Sequence, residues 1–161
     1  MVYTADSQPR TFEAEQGKGA DVFMHEIFPS AEEFAYYNHM TIQASEGVME
    51  EHTTPAELGR VFSIAKPRLG VGMHFTLDDA LIDPLFQRWG TTYDDPVLLM
   101  QDLTTINVTS DYIVVRQTKA DLLAWPAPPP KPPEGADMSI GEPTKAQRPD
   151  WLTATRLSKE P

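Results

Sequence analysis

The chain reads as a layered α/β fold over residues 1 to about 120, and three observations predict it. Short strand-like runs at Met1–Thr4, Asp21–Met24, Arg68–Met73 and Pro96–Met100 alternate with stretches of helical spacing. Two helix starts are spelled out in capping residues, Ser30-Ala31-Glu32-Glu33 and Thr54-Pro55-Ala56-Glu57. The last three of the four strands are apolar on both sides, as expected of a sheet with both faces covered.

In chain order, Met1–Thr4 is the end of a strand and Pro9–Gly19 a polar, helix-compatible connection. Asp21–Met24 is a short apolar strand. Ser30 then caps a helix whose Glu33 sits at the capping-box position, with Phe34 and Tyr37 on one face. Thr54 caps the next helix, Pro55 occupies its first position, and Leu58, Val61, Phe62 and Ala65 recur at helical spacing until Pro67 stops the run. Arg68–Met73 is a strand ending at His74, and its Gly70 and Gly72 let neighbouring elements come close. Asp78–Gly90 is a third helix with Leu81, Leu85 and Trp89 on its apolar side. Pro96–Met100 follows as a strand, and Thr105–Val108 with Tyr112–Gln117 forms a hairpin around Ser110-Asp111, both arms rich in β-branched residues. The helices cover one sheet face. Nothing else in the chain suggests a layer for the other, which predicts a homodimer packed sheet against sheet through residues such as Val71 and Leu98.

Composition changes at residues 121–161, a proline-rich extended tail. Pro126-Ala127-Pro128-Pro129-Pro130-Lys131-Pro132-Pro133 favours polyproline II, either as a stiff spacer or as a ligand for a proline-recognition module. Trp151-Leu152 can anchor the tail on an apolar groove.

Thirteen basic against twenty-four acidic residues give a net charge of −11, which repels phosphate backbones and anionic lipid. The reading is therefore no nucleic-acid and no membrane partner. Without cysteine there is neither a disulfide nor a thiolate metal site, so any metal must be held by imidazole and carboxylate. No signal peptide and no membrane-spanning run is visible, and a cytoplasmic chain is expected.

The chemistry-bearing residues stand at strand ends and turns. Asp6, after Val2-Tyr3-Thr4, is either a turn-forming residue or a carboxylate whose two oxygens can reach two cations. His74 ends the glycine-containing strand, as a structural imidazole or as a ligand. His25-Glu26 ends another strand, one of the pair facing the rim and the other its neighbours. His52 projects from a loop just before the capped helix, and a glutamate beside it would orient it for general acid work.

The order of these stretches resembles the metallo-β-lactamase-fold hydrolases, most closely the ribonuclease-Z-like and arylsulfatase-like branch. Thr4-Ala5-Asp6-Ser7 matches a strand ending in Gly-Asp-Thr, and Ala20-Asp21-Val22-Phe23-Met24-His25-Glu26 matches an Ala-Asp-hydrophobic-His-Glu stretch. His52-Thr53-Thr54 matches a His-Ser/Thr-Thr turn, and Met73-His74-Phe75 a strand ending in Thr-His-Phe. The resemblance covers residues 1 to about 120 and implies the C-terminal half of a four-layer αββα sandwich, a mixed sheet with helices on one face. It implies Asp6 as the metal-bridging carboxylate, His74 as a ligand to the second metal, His52 as proton donor and Glu26 as its orienting partner.

The implied activity is zinc-dependent hydrolysis of an ester, phosphoester or lactam bond in a small-molecule substrate, with two zinc ions. The family's N-terminal His-x-His-x-Asp-His motif is absent, and the four histidines are His25, His39, His52 and His74. The expectation is thus a truncated chain that needs a missing N-terminal half or a second copy. The alternative is a catalytically incomplete half-domain that acts as an obligate dimer or binding partner.

Overall fold

The computed structural model describes residues 1–76, 78–119 and 157. Its centre is a four-stranded parallel sheet built from β1 (Val2–Tyr3), β2 (Val22–Glu26), β3 (Leu69–Met73) and β4 (Val97–Leu99), adjacent in chain order. Parallel neighbours need crossovers, and the helices supply them. Helix α1 (Thr11–Gln16) joins β1 to β2, while α2 (Ala31–Tyr37), α3 (Ile42–Met49) and α4 (Pro55–Ala65) lie between β2 and β3. Helix α5 (Asp79–Trp89) leads into β4. Right-handed crossovers repeated in one direction along a sheet put their helices on the same face.

On that face Phe23 and Ile27 of the β2 segment meet Ala14 of α1, Leu58, Val61 and Phe62 of α4, and Leu81, Leu85 and Trp89 of α5. Each such large side chain contributes about 1.5–3 kcal/mol by leaving water. The glycines of β3 are necessary to this packing. A Cβ on Gly70 would lie 2.5 Å from the Phe62 ring, and one on Gly72 would lie 2.8–3.0 Å from Ile27, Leu99 and Trp89. The capping expectations hold as well. Ser30 Oγ accepts from Glu33 N–H while Glu33 accepts from Ser30 N–H, and Glu57 accepts from both the N–H and the hydroxyl of Thr54.

Two expectations need correction. The strands do not join one mixed sheet: β5 (Thr104–Val108) and β6 (Ile113–Gln117) form a separate antiparallel hairpin. That hairpin covers part of the second face of the parallel sheet, where Ile106 and Ile113 pack against Val22, Leu69 and Val71. Val71 is fully buried within a single chain, so no partner is needed to cover it. A two-stranded hairpin leaves one of its own faces free to pack, and which sheet it meets is set by the tertiary fold. Among the described residues the layers are helices, parallel sheet and hairpin.

Helix α3 was not foreseen. Thr41 caps it, accepting from Ala44 N–H, and it packs on α2 through Ser45, whose hydroxyl donates to the Ala31 carbonyl at 2.6 Å. The proline-rich run and Trp151-Leu152 lie outside the described residues. Leu157 does return to the domain, its N–H donating to the Pro9 carbonyl at 3.0 Å and its side chain packing on the helix-side core. No helix among the described residues is long and apolar enough to cross a membrane.

Candidate metal centre

In a parallel sheet all the strands end at one rim, and in open α/β folds that C-terminal rim is where ligands bind. The β2–β3 register pairs Glu26 with Met73, so Glu26 and His74 come to the rim side by side. Thr4 N–H, donating to the Met24 carbonyl, carries β1 to the same edge and delivers Asp6. His52 arrives on the loop before α4. This loop is fastened to the end of β2 by the Phe28 N–H, which donates to the Thr53 carbonyl at 2.9 Å.

The four residues expected to form the site do come together. One ligand atom from each of Asp6, Glu26, His52 and His74 lies within 4.8 Å of the others, an arrangement that could hold a metal ion. Glu26 is the buried centre of the group. Its Oε1 accepts from His52 Nδ1–H at 3.0 Å and from Thr53 N–H at 2.9 Å. A carboxylate only accepts, so the hydrogen of His52 sits on Nδ1 and Nε2 is left for the cleft. His74 Nδ1 stands 3.4 Å from Asp6 Oδ1 and 3.6 Å from Glu26 Oε2.

Two observations test whether these residues fit a cation. First, Glu26 Oε2 has no hydrogen-bond partner among the described residues, although Glu26 is fully buried. An orphaned buried carboxylate oxygen is costly unless something else satisfies it. Second, donors about 2.0–2.1 Å from a tetrahedral ion stand about 3.4 Å from one another. The Asp6–His74 and Glu26–His74 separations match that edge, and the oxygen–nitrogen donor set suits zinc or a similar borderline cation. The residues fit.

Asp6 and His74 also share a backbone feature. They hold left-handed φ angles of 49° and 55°, strain that non-glycine residues carry where the surroundings impose it. Aromatic packing fixes the imidazoles. Phe28 stacks on His52 with centroids 3.9 Å apart and meets His74 edge-on at 5.3 Å. Thr53, fully buried, ties the group together by donating its hydroxyl to the Ser7 carbonyl at 2.7 Å, which anchors the Asp6 loop to the Glu26 side.

Of the His25-Glu26 pair, Glu26 takes the rim and His25 turns toward α1. His25 Nδ1–H donates to the Glu26 carbonyl, and Nε2 stands 3.3 Å from Glu13 Oε2. His39 is not part of the cation group. Three features were not foreseen: Glu26 as a possible ligand, the tie through Thr53, and the Phe28 stack. The glutamate was visible as a strand-end acid, but its spare oxygen depends on what its first oxygen binds.

A cleft of about 390 Å³ opens over the site, lined by Asp6, His52, His74, Phe28, Phe34 and Val48 among others. Phe34 belongs to α2, which Arg88 of α5 holds through a bidentate pair with Glu33 at 2.6 and 2.9 Å. That guanidinium hydrogen bond keeps the Glu33 carboxyl below its ordinary value and raises Arg88 in turn. Burial, and then a hydrogen bond to Asp78, push the Tyr37 phenol up.

No family model matches the chain, and no curated protein matches it. The functional reading therefore stands on the residues of this rim.

Proposed function

We propose that this rim is the centre of a metal-dependent hydrolase of metallo-β-lactamase type, acting on an ester, phosphoester or lactam bond. The observation that supports it most is the orphaned Glu26 Oε2 among Asp6, His52 and His74, all within reach of one ion. Asp6, His74 and the free oxygen of Glu26 would hold one zinc ion, and the second ion that the family resemblance implies would need ligands from outside this group. What such a cation supplies when bound is polarisation of a carbonyl or phosphoryl oxygen and activation of water near neutral pH.

The chain's own residues supply the rest. Glu26, through Oε1, keeps the His52 ring in one orientation and one tautomer. With Nδ1–H committed to Glu26, His52 Nε2 would first accept a proton from the attacking water and then give it to the departing atom of the substrate. Phe28, stacked on His52, keeps water from one side of the ring and restricts its swing. Phe34 and Val48 form an apolar wall against which the substrate body is held.

The test is zinc and cobalt retention by the full chain after dialysis, alongside hydrolysis of a chromogenic ester, a phosphodiester and a lactam. Retention near one or two ions per chain, lost in His74→Ala, supports the reading. A metal content near zero at micromolar free zinc sinks it for this chain.

A second reading is a catalytically incomplete half-domain that works as an obligate dimer. It is favoured by apolar side chains left open on and beside the hairpin, Tyr3 at 62 %, Val108 at 42 % and Val115 at 41 % exposure. Sedimentation at low concentration separates the two, since a folded monomer that retains zinc contradicts it.

A further inference from the structure

Resting on the hydrolase reading above, we infer the substrate class. The cleft takes an uncharged or cationic compound with an aromatic or branched aliphatic body, and it rejects compounds bearing phosphate or carboxylate. The cavity over the site does not end at His74. A second cavity of about 410 Å³ shares His74 and Phe75 with it and runs on to Met100, Gln101 and Asp102, beyond the end of β4. The two form one trough across the rim, with the candidate ligands toward one end and Asp102 at the other.

The charges along this trough have one sign. Among the described residues, neither cavity is lined by a lysine or an arginine. The arginine of α5, Arg88, is committed to Glu33 and lines a different hollow, beside Pro29 and Pro55. Phosphate and carboxylate recognition calls for guanidinium forks, ammonium groups or exposed backbone N–H groups, and no cationic side chain lines the trough among the described residues. One divalent cation would cancel the two charges of Asp6 and Glu26, and Asp102 would still leave the trough negative. A second anion would be repelled there.

Asp102 is also held in place. Its carbonyl accepts from Gln117 Nε2 at 2.7 Å, while the preceding Gln101 N–H donates to Thr104 Oγ1 at 3.1 Å. No cation pairs with its carboxylate among the described residues. An exposed carboxylate on this held backbone, with no cation beside it among the described residues, attracts an ammonium or guanidinium group, and Phe28, Phe34, Val48 and Phe75 accept the apolar body.

Three probes sharing one phenyl ring test this: benzylamine, benzyl alcohol and phenyl phosphate. They are titrated by ligand-observed NMR onto the full chain at pH 7, with zinc present and after its removal. The expected order is benzylamine, then benzyl alcohol, then phenyl phosphate, with at least about tenfold between first and last. Asp102→Asn, an exposed change, should weaken benzylamine by about threefold to fivefold and leave benzyl alcohol unchanged. Phenyl phosphate binding as tightly as benzylamine overturns the inference, as does a failure of all three to bind or an indifference of benzylamine to Asp102→Asn. The outcomes keep the two readings apart. Zinc retained with phosphate preferred removes the substrate class and spares the hydrolase, whereas the expected order without zinc retention removes the hydrolase and leaves a cation-accepting cleft.

Discussion

His74 Nδ1 and Asp6 Oδ1 stand 3.4 Å apart, and both residues are held in left-handed backbone, at φ 55° and 49°. Neither position is a helix cap, and each terminates the run after a parallel strand. The fold accepts local strain at two points in order to turn an imidazole and a carboxylate toward each other.

Glycine adopts that conformation without penalty. Asp6→Gly should therefore keep the metal-free stability or raise it, by up to about 1 kcal/mol. The same change should lower zinc retention at least about tenfold, because a ligand is gone. Thermal unfolding with and without zinc checks both halves. A variant that loses stability and keeps its zinc would show that Asp6 is only a turn residue.

Thr53→Val removes the hydroxyl bond to Ser7 while preserving the shape and the N–H bond to Glu26. The expected cost is about 1–2 kcal/mol in urea unfolding. Because the Asp6 loop is then released from the Glu26 side, zinc affinity should fall about 10- to 100-fold, and Thr53→Ser should restore it. Equal zinc affinity in all three proteins would reduce Thr53 to a structural role.

The dimer reading makes its own demand. Val71 is buried inside one chain, so a charge there unfolds the protein whether or not it associates. Val114, open to solvent at 39 % and on the hairpin face opposite to Ile106 and Ile113, is the informative position. Val114→Lys should leave the thermal midpoint of a monomer nearly unchanged. If the hairpin face is an interface, it should shift sedimentation to the monomer, and a variant that remains dimeric places the interface elsewhere.

Tyr93 predicts an alkaline transition. Burial pushes its phenol up to about 12, while its hydroxyl reaches the Pro67 carbonyl at 3.4 Å. A group whose folded value is raised binds its proton more tightly when native. Its contribution is whole below about pH 10 and is lost as pH climbs from about 10 toward about 12. Tyr93→Phe should flatten that decline in stability measured across the same range. An unaltered decline would assign it to other groups.

Much of the fold was legible because its signals are local. Ser30 with Glu33, and Thr54 with Glu57, satisfy the first turns of their own helices and need no tertiary partner. The glycines of β3 and the apolar strands forecast close packing in the same way. Helix α3 escaped because Thr41 caps it without a glutamate at the third position, where Ala44 stands, and because Gly47 interrupts its apolar period. The hairpin was recognised as a hairpin, but not as a cover for Val71. Which face a ribbon lies on is decided by the sheet it meets.

The site divides along the same line. By itself the sequence marked Asp6, Glu26, His52 and His74 as candidates, through their places at strand ends and before a capped helix and through the family resemblance. Only the tertiary structure decided their roles toward one another. The parallel register that sets Glu26 beside Met73 brings His74 to it, and the loop fastened by Thr53 brings His52. One oxygen of Glu26 is thereby consumed and the other left bare. A carboxylate's spare bonding capacity depends on every neighbour around it, and those neighbours come from segments far apart in the chain.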